Sequence, residues 1–367
     1  MRSRTEIARL SPNGVENRSG SVPQEDEISF MERAILLGER SRGATRPNPP
    51  VGAVVVKDGR MLGEGRHRRC GSSHAETAAL DSVKRNGFSA KGATVYVTLE
   101  PCSKPGRVGA CCDALKAAGV AKVVWAVPDP NPKNAGKAAG VLRKVGIETE
   151  CWAQSKDSRK RSLAQRAKEL IAPFAKHVTT GLPYVTVKIA MSLDGRICDE
   201  RGDAKWVSSE RARKATGRLR ERVDVILVGA ETVRKDNPSL LSHGRRNDML
   251  YRAVITRSGA LPIGAQIFTD GAKDRTLVFE VEGVGSKAAA SDRPGVIRAT
   301  DLRDVMRHLG EMGFLHVLCE GGLELAASLA KDGLVDEWLT VLAPKVIGHG
   351  PIGEAAIVRR VSVLADF

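Results

Sequence analysis

The chain has 367 residues, 42% hydrophobic and 28% charged, an ordinary globular composition with length for about two domains; no apolar run approaches the ~18 residues of a membrane span, and the N-terminus has no secretory core. Seven cysteines, an odd number scattered along the chain, point to a reducing compartment, the cytoplasm, and to metal or catalytic use rather than a disulfide framework. The net charge of +15 invites a nucleic-acid reading, but residues 155–176 and 201–222 carry +5 each in helix-forming stretches, and aromatic residues are only 4% of the chain, few for a base-stacking platform.

Residues 1–27 are polar and read as a disordered tail. From Ile28, ISFMERAILLGERS is an amphipathic helix with Phe30, Ala34 and Leu37 near one face. The turn RPNPP follows, then VGAVVVKDGRMLGEG, in which Lys57-Asp58-Gly59-Arg60 marks a hairpin. HAETAALDSVKRNG is a helix ending at Gly87, TVYVTLE a buried strand, and CCDALKAAG a helix stopped by Gly119. KVVWAV, GKAAGVLRKVG and IETEC continue as strand, helix and strand. This alternation over 28–155 predicts an α/β layer with a largely parallel sheet.

Residues 156–180 form a basic, helix-prone connector that ends at Gly181-Leu182-Pro183, the expected domain boundary. A second alternating series fills 181–367. YVTVKIA is a strand, SSERARKATGRLRER a helix with Ser208 or Ser209 as N-cap, and DVILVG a strand. RAVIT, TLVFE and GVIRA are strands, DLRDVMRHLGEMG a helix, and LHVLCEGG a strand running into a glycine turn. LELAASLAKDG is a helix and DEWLTVLAPKVIG a long last strand. No internal repeat relates the two halves.

The strongest chemical signal is His74-Ala75-Glu76 at a helix start, followed by Pro101-Cys102 and the pair Cys111-Cys112. Hydrolytic zinc sites use about three protein ligands and leave a position for water, which one His and two thiolates satisfy. Glu76 is not a ligand in this reading but the proton carrier. Cys111 opens a helix, whose dipole favours a thiolate, yet residue type alone leaves Cys111 and Cys112 both open as the second thiol.

The HAE…PC signature resembles the cytidine/deoxycytidylate deaminase superfamily. Base and nucleoside deaminases of that superfamily usually separate the two cysteines by two residues, whereas eight intervene here, SKPGRVGA. With PNPPVGAVVV, GEGRH, VTLEPCS, CCDAL and DPNP, that longer loop resembles the bifunctional deaminase/reductases of riboflavin biosynthesis, and the resemblance runs from about Ile28 to the C-terminus. It implies zinc on His74, Cys102 and Cys111, with Glu76 as proton shuttle. It implies pyrimidine and phosphate contacts from Asn48, His67, Asp129 and Asn131. The family loop usually reads close to CSHHGRTPPC; here Lys104 stands at the expected His, and Arg107 keeps a cation where a substrate phosphate would lie.

VKIAMSLDGRI, GDAKW, RLRERVDVILVGAETVRKDNPSL and LCEGGLELAASL resemble that family's reductase half, which implies a dihydrofolate-reductase-like fold and NADPH. Glu320-Gly321-Gly322 and Gly229-Ala230-Glu231-Thr232 are turns between strand and helix, where backbone N–H groups can hold a phosphate. By resemblance, Ala190, Trp206, Thr232, Asp236, Ser258 and Gly322 to Ser328 fall on cofactor positions. Arg220, Leu240 and Glu320 fall on substrate positions, and Lys188, Asp236 and Glu320 are the candidates to orient the ribose and move protons. The pattern departs at Ala204, at Leu241-Ser242-His243, with Arg245 and Arg246 close by as replacement cations, and at Arg257. Relatives continue beyond Phe367 into a final strand, so the second domain is expected to lack it. The accompanying expectations are a small phosphorylated pyrimidine as substrate, an assembly of identical chains, and no membrane or nucleic-acid partner. The alternatives are a chain whose deaminase works beside a weak reductase half, a relative acting on a modified pyrimidine, and a deaminase of tRNA or DNA.

Overall fold

The computed structural model describes residues 26–104, 109–199, 209–242, 249–282 and 295–348, and the backbone of 361–365. Helix α1 (Glu27–Glu39) starts where the Asp26 carboxylate accepts the Ser29 N–H at 2.9 Å. Strands β1 (Gly52–Lys57) and β2 (Arg60–Arg66) follow, then α2 (Ala75–Arg85), β3 (Thr94–Leu99), α3 (Cys111–Ala117) and β4 (Lys122–Val127). Next come α4 (Lys137–Arg143), β5 (Glu148–Cys151) and α5 (Ser158–Leu170). Asp58 and Gly59 turn the hairpin with φ of 50° and 72°, the handedness a two-residue turn between twisted strands requires.

The first sheet has the order β2-β1-β3-β4-β5. Here the expected largely parallel sheet is corrected to a mixed one. β1 is antiparallel to both β2 and β3, and only β3, β4 and β5 run parallel. A two-residue turn can only return the chain antiparallel, whereas the helical crossovers after β3 restore parallel pairing. α2 lies so close to β2 that a Cβ at Gly65 would fall 2.3 Å from Ala79 N and 2.5 Å from Ala75 O. Glycine therefore seats the first turn of α2 directly on the sheet, which fixes residues 74–76 over it.

The stretch read as a connector folds as two helices. α5 buries Leu163, Ala164, Ala167 and Leu170 in the first domain's core. Its cations meet acids: Lys160 lies 2.7 Å from Glu27 and 2.8 Å from Glu150, and Arg166 2.8 Å from Glu32. Part of the basic surplus is thus spent on one amphipathic helix.

α6 (Ala172–Thr180) ends at Gly181, φ 76°, and leads into β6 (Tyr184–Ser192). α7 (Glu210–Arg220) is capped by Ser209, whose Oγ accepts the Ala212 N–H at 3.2 Å. Then come β7 (Val225–Gly229), α8 (Ala230–Asp236), β8 (Tyr251–Thr256), α9 (Gln266–Thr269), β9 (Thr276–Val281) and β10 (Val296–Ala299). α10 (Leu302–Glu311), β11 (His316–Cys319), α11 (Leu323–Lys331), β12 (Glu337–Ala343) and β13 (Val361–Ala365) complete the described elements. The sheet order is β10-β9-β8-β7-β11-β6-β12-β13, and every pairing is parallel. Alternate residues feed two cores, Val225 and Leu227 on one face, Ile226 and Val228 on the other, as a parallel sheet covered on both sides demands.

The Gly229 turn leads from β7 into a helix, as expected, with Ala230 to Thr232 already in α8. One expectation is corrected. The long last strand stops at Ala343, because Pro344 has no N–H for a further ladder bond, and β13 then pairs beside β12 with Trp338 opposite Val361. Arg107, Trp206, Ala204, His243, Arg245 and Arg246 lie outside the described residues. No helix among the described residues is long and apolar enough to cross a membrane.

Candidate functional site

His74 is the N-cap residue of α2, but its side chain makes no cap bond and turns away from its own helix. Its Nδ1 lies 3.2 Å from Cys111 Sγ and 3.6 Å from Cys102 Sγ. The Cys111 N–H, at the start of α3, points to Cys102 Sγ at 3.2 Å. One ligand atom each from His74, Cys102 and Cys111 lies within 4.8 Å of the others, a nitrogen–sulfur–sulfur set of the composition zinc prefers. Hydrogen bonding from Cys111 holds the Cys102 thiol below its ordinary range, while that same bond, and then burial, push Cys111 up. A metal bound by both thiolates would displace their protons. Cys112 separates from this set: its Sγ lies 4.0 Å from Pro101 O and packs into the core, where burial pushes the thiol up to about 12.

Glu76 is 4% exposed on the first turn of α2. Burial and the negative charge at Cys102 raise its carboxyl to about 7. The cavity over it is lined by Asn48, Pro49, Val51, His67, His74, Ala75, Leu99, Glu100, Cys102, Asp129 and Phe174. His67 Nδ1 lies 3.1 Å from Ser73 O and Nε2 3.1 Å from Asn48 Nδ2. The carbonyl can only accept, so Nδ1 carries the proton, Nε2 accepts from the Asn48 amide, and Asn48 Oδ1 is left to accept from a ring edge. Burial holds the His67 pKa below its ordinary value, consistent with that neutral tautomer.

Asp129 lines the same cavity and is tied to the cysteine loop. Its Oδ2 accepts from Asn134 Nδ2 at 2.8 Å, and Asn134 Oδ1 accepts from Ser103 N at 2.9 Å. Asn131 is not a lining residue; its Oδ1 caps the local turn by accepting the Lys133 N–H at 3.0 Å. Lys104 is exposed beside Cys102 and also does not line the cavity. Glu100 and Phe174 are lining residues that the sequence did not single out. Glu100 accepts the N–H groups of Asp129, Gly136 and Ala138 at 3.1, 3.0 and 3.0 Å, fixing the loop that carries Asp129. Its signal was an acid at a strand end directly before Pro101-Cys102. Phe174 comes from α6, and nothing in its local sequence pointed to a pocket.

In the second domain, β11 pairs with β6 so that Cys319 faces Val187, which sets Glu320 beside Lys188. Arg220 at the end of α7 binds Glu320 through Nε to Oε1 at 2.6 Å and Nη2 to Oε2 at 3.0 Å, and donates from Nη1 to Leu241 O at 3.0 Å. Burial would raise the Glu320 carboxyl, but the Arg220 charge and hydrogen bonds outweigh it and hold it low. Burial holds Lys188 below the ordinary lysine range, opposed by Glu320. The glycine turns after β7 and β11 abut, since a Cβ at Gly321 would lie 3.5 Å from Gly229 N. A Cβ at Gly229 or Gly322 would meet nothing within 4 Å, so open space covers the starts of α8 and α11 at the carboxyl ends of the strands, where α/β sheets bind dinucleotides.

The remaining positions are less concentrated. Ala190 lies on β6, Thr232 on α8, and Ser258 is exposed just past β8. Arg257 binds Glu324 of α11 at 2.9 Å, bridging the Ser258 turn to that helix. Asp236 is exposed at the end of α8. The Ser328 hydroxyl donates to Glu324 O at 2.8 Å within its own helix. The Leu240 side chain is 3% exposed in the core, its φ of 58° set by the turn, so only its backbone is placed to meet a ligand.

The zinc-binding region of cytidine and deoxycytidylate deaminases matches residues 24–127, and the RibD C-terminal domain matches 183–358. The riboflavin biosynthesis protein RibD of Aquifex aeolicus is 34% identical over 340 residues, 91% of this chain and 92% of that one. That of Escherichia coli is 37% identical over 340 residues, 88% and 89%. A solved diaminohydroxyphosphoribosylaminopyrimidine deaminase/5-amino-6-(5-phosphoribosylamino)uracil reductase from Thermotoga maritima superposes with a TM-score of 0.75 at 34% identity, covering 89% of each chain. RibD of Acinetobacter baumannii gives 0.73 at 34% identity, covering 91% of this chain and 89% of that one.

Proposed function

Because this chain belongs to the RibD family, the bifunctional deaminase/reductases of riboflavin biosynthesis with a zinc-binding deaminase half and a reductase half, we propose the substrates and residue roles that follow. The first domain deaminates 2,5-diamino-6-ribosylamino-4(3H)-pyrimidinone 5′-phosphate. The second uses NADPH to reduce the ribosyl group of the product to ribityl. The observation that carries the reading is the convergence of His74, Cys102 and Cys111 beside a buried, neutral-range Glu76 at the base of one cavity.

Zinc on those three residues supplies Lewis acidity and lowers the pKa of water at the site. Glu76, poised near 7, takes up a proton as water adds to the amino-bearing ring carbon and passes it to the ring nitrogen; it then takes the proton of the added hydroxyl and gives it to the amino group, so that ammonia leaves and the carbonyl forms. Asn48 Oδ1 accepts from the ring edge while His67 holds the amide in place. Asp129, fixed through Glu100 and Asn134, approaches the substrate from the opposite loop.

In the second domain bound NADPH would supply a hydride for the sugar C1′, and opening of the C1′–O4′ bond leaves O4′ to be protonated by the protein. Lys188 delivers the proton that O4′ then requires, and Glu320, kept ionised and oriented by Arg220, stands beside it to hold its ammonium in place. The backbone N–H groups at the starts of α8 and α11 take the cofactor's phosphates. The substrate is a small molecule, which a cavity lined by Asn48, His67, Asp129 and Phe174 accommodates, and an assembly of identical chains is the accompanying expectation. The test is product analysis with the diaminopyrimidine nucleotide. Ammonia release without NADPH, and a ribityl product only with it, are expected; a chain that releases no ammonia overturns the reading.

A further inference from the structure

The first domain packs on the amino-terminal ends of the second domain's strands. Arg46 belongs to the turn in which Asn48 N–H donates to Thr45 O at 2.9 Å, yet its guanidinium lies inside the second domain. It sits 4.6 Å over the Phe314 ring and 5.1 Å over the Tyr251 ring, donates from Nη2 to Met249 O at 3.4 Å, and lies 3.9 Å from Asp224 Oδ1. Asp224 is 3% exposed and is itself fixed, its Oδ2 accepting the N–H groups of Leu315 and His316 at 2.8 and 3.0 Å. The adjoining loop meets the second domain backbone to backbone, since a Cβ at Gly43 would fall 2.4 Å from Glu221 O.

We propose that Arg46 is a positioning residue of deamination, through which the second domain holds Asn48 in the deaminase cavity. The clamp sits two residues from Asn48, so a planar cation seated over two adjoining rings and 3.9 Å from a buried carboxylate sets where that turn stands. A second lining residue is anchored the same way: Phe174 lines the cavity, and Lys176 on the same helix pairs with Asp336 of the second domain. Asn48 and Phe174 are therefore both referenced to the reductase domain. Arg46 touches residues at the starts of β7, β8 and β11, whereas Glu320 and Gly229 lie at the carboxyl ends, so its loss leaves the reductase centre intact.

The proposal rests on Asn48 contacting the pyrimidine. It is tested on the full-length chain as R46A, R46K, N48A and the double variant R46A/N48A. The readouts are ammonia release, NADPH oxidation with the deaminated product, zinc content, and amide hydrogen exchange across residues 45–52. R46A is expected to lower deaminase kcat/KM by about 10- to 100-fold, mainly through KM, since small misplacements of a positioning group cost this much. R46K, which keeps the charge but not the plane, falls between R46A and the unaltered chain, and it carries the comparison if R46A does not fold. The double variant is no worse than N48A alone, because both act through one contact. Zinc content and NADPH oxidation stay at the unaltered level. Unchanged deamination in R46A and R46K, or losses that multiply in the double variant, overturn the proposal. If the unaltered chain releases no ammonia, the functional reading fails separately, and hydrogen exchange decides the clamp: faster exchange across 45–52 in R46A supports it, unchanged exchange removes it.

Discussion

Arg220 and Glu320 meet along two parallel hydrogen bonds with side chains only 17% and 9% exposed, so two residues expected at substrate positions bind each other, and Arg220 spends two of its donor groups on a carboxylate. Removing one partner of such a pair leaves the other charge buried alone. Arg220→Ala is expected to cost about 3–5 kcal/mol in the second domain and to abolish NADPH oxidation. Glu320→Gln, which keeps one acceptor but leaves the Arg220 charge unpaired, is expected to lose reduction and to lower the denaturation midpoint as well. An Arg220→Ala chain with an unaltered midpoint contradicts this assignment.

The metal assignment separates two adjacent thiols. Cys102→Ala and Cys111→Ala are expected to lose zinc, measured by elemental analysis of the purified chain. Cys112→Ala keeps about one zinc per chain and pays only a modest packing penalty, because its sulfur faces the core. Chelation should lower the melting temperature of the unaltered chain and leave that of Cys102→Ala unmoved.

Glu76→Gln keeps the shape and hydrogen-bonding reach of the side chain and removes its proton chemistry. Zinc content is expected to stay near one per chain while ammonia release falls by about 10²- to 10⁴-fold. NADPH oxidation with ready-made deaminated product should not change, since Glu76 lies in the other domain. Near-full ammonia release from the variant removes Glu76 from the mechanism.

His316 supplies a pH signature. Burial, with the charge of Arg42 nearby, pushes it from 6.5 down to about 3 in the folded chain. The unfolded chain takes up this proton from about pH 6.5 downward while the folded chain does not, so the folded state is favoured most above 6.5 and loses ground toward pH 3. The expected slope is on the order of 1 kcal/mol per pH unit. Urea midpoints between pH 7 and pH 4.5 should fall more steeply in the unaltered chain than in His316→Gln; parallel curves dismiss the effect.

The second domain's helix–strand alternation was legible because apolar runs bounded by glycine announce buried parallel strands directly. The first sheet was misjudged as largely parallel, since alternation alone does not reveal which neighbour a strand chooses after a hairpin. The stretch 156–180 reads as a basic, helix-prone connector, and only the structure shows which face of α5 packs on the core, that of Leu163, Ala164, Ala167 and Leu170.

His74, Glu76, Cys102 and Cys111 could be singled out by residue type and order, because metal ligation and proton transfer demand specific chemistry wherever the backbone runs. What only the tertiary structure decided is which atoms meet: Cys111 rather than Cys112 facing His74, Arg220 consumed by Glu320, Leu240 turned into the core, and Arg46 and Phe174 joining the deaminase cavity to the second domain. Arg46 and Phe314 are far apart in the chain, and an arginine followed by proline carries no local mark of its partner. Such contacts arise where two separately folded cores press their surfaces together, so their geometry belongs to the packing and not to any pattern along the chain.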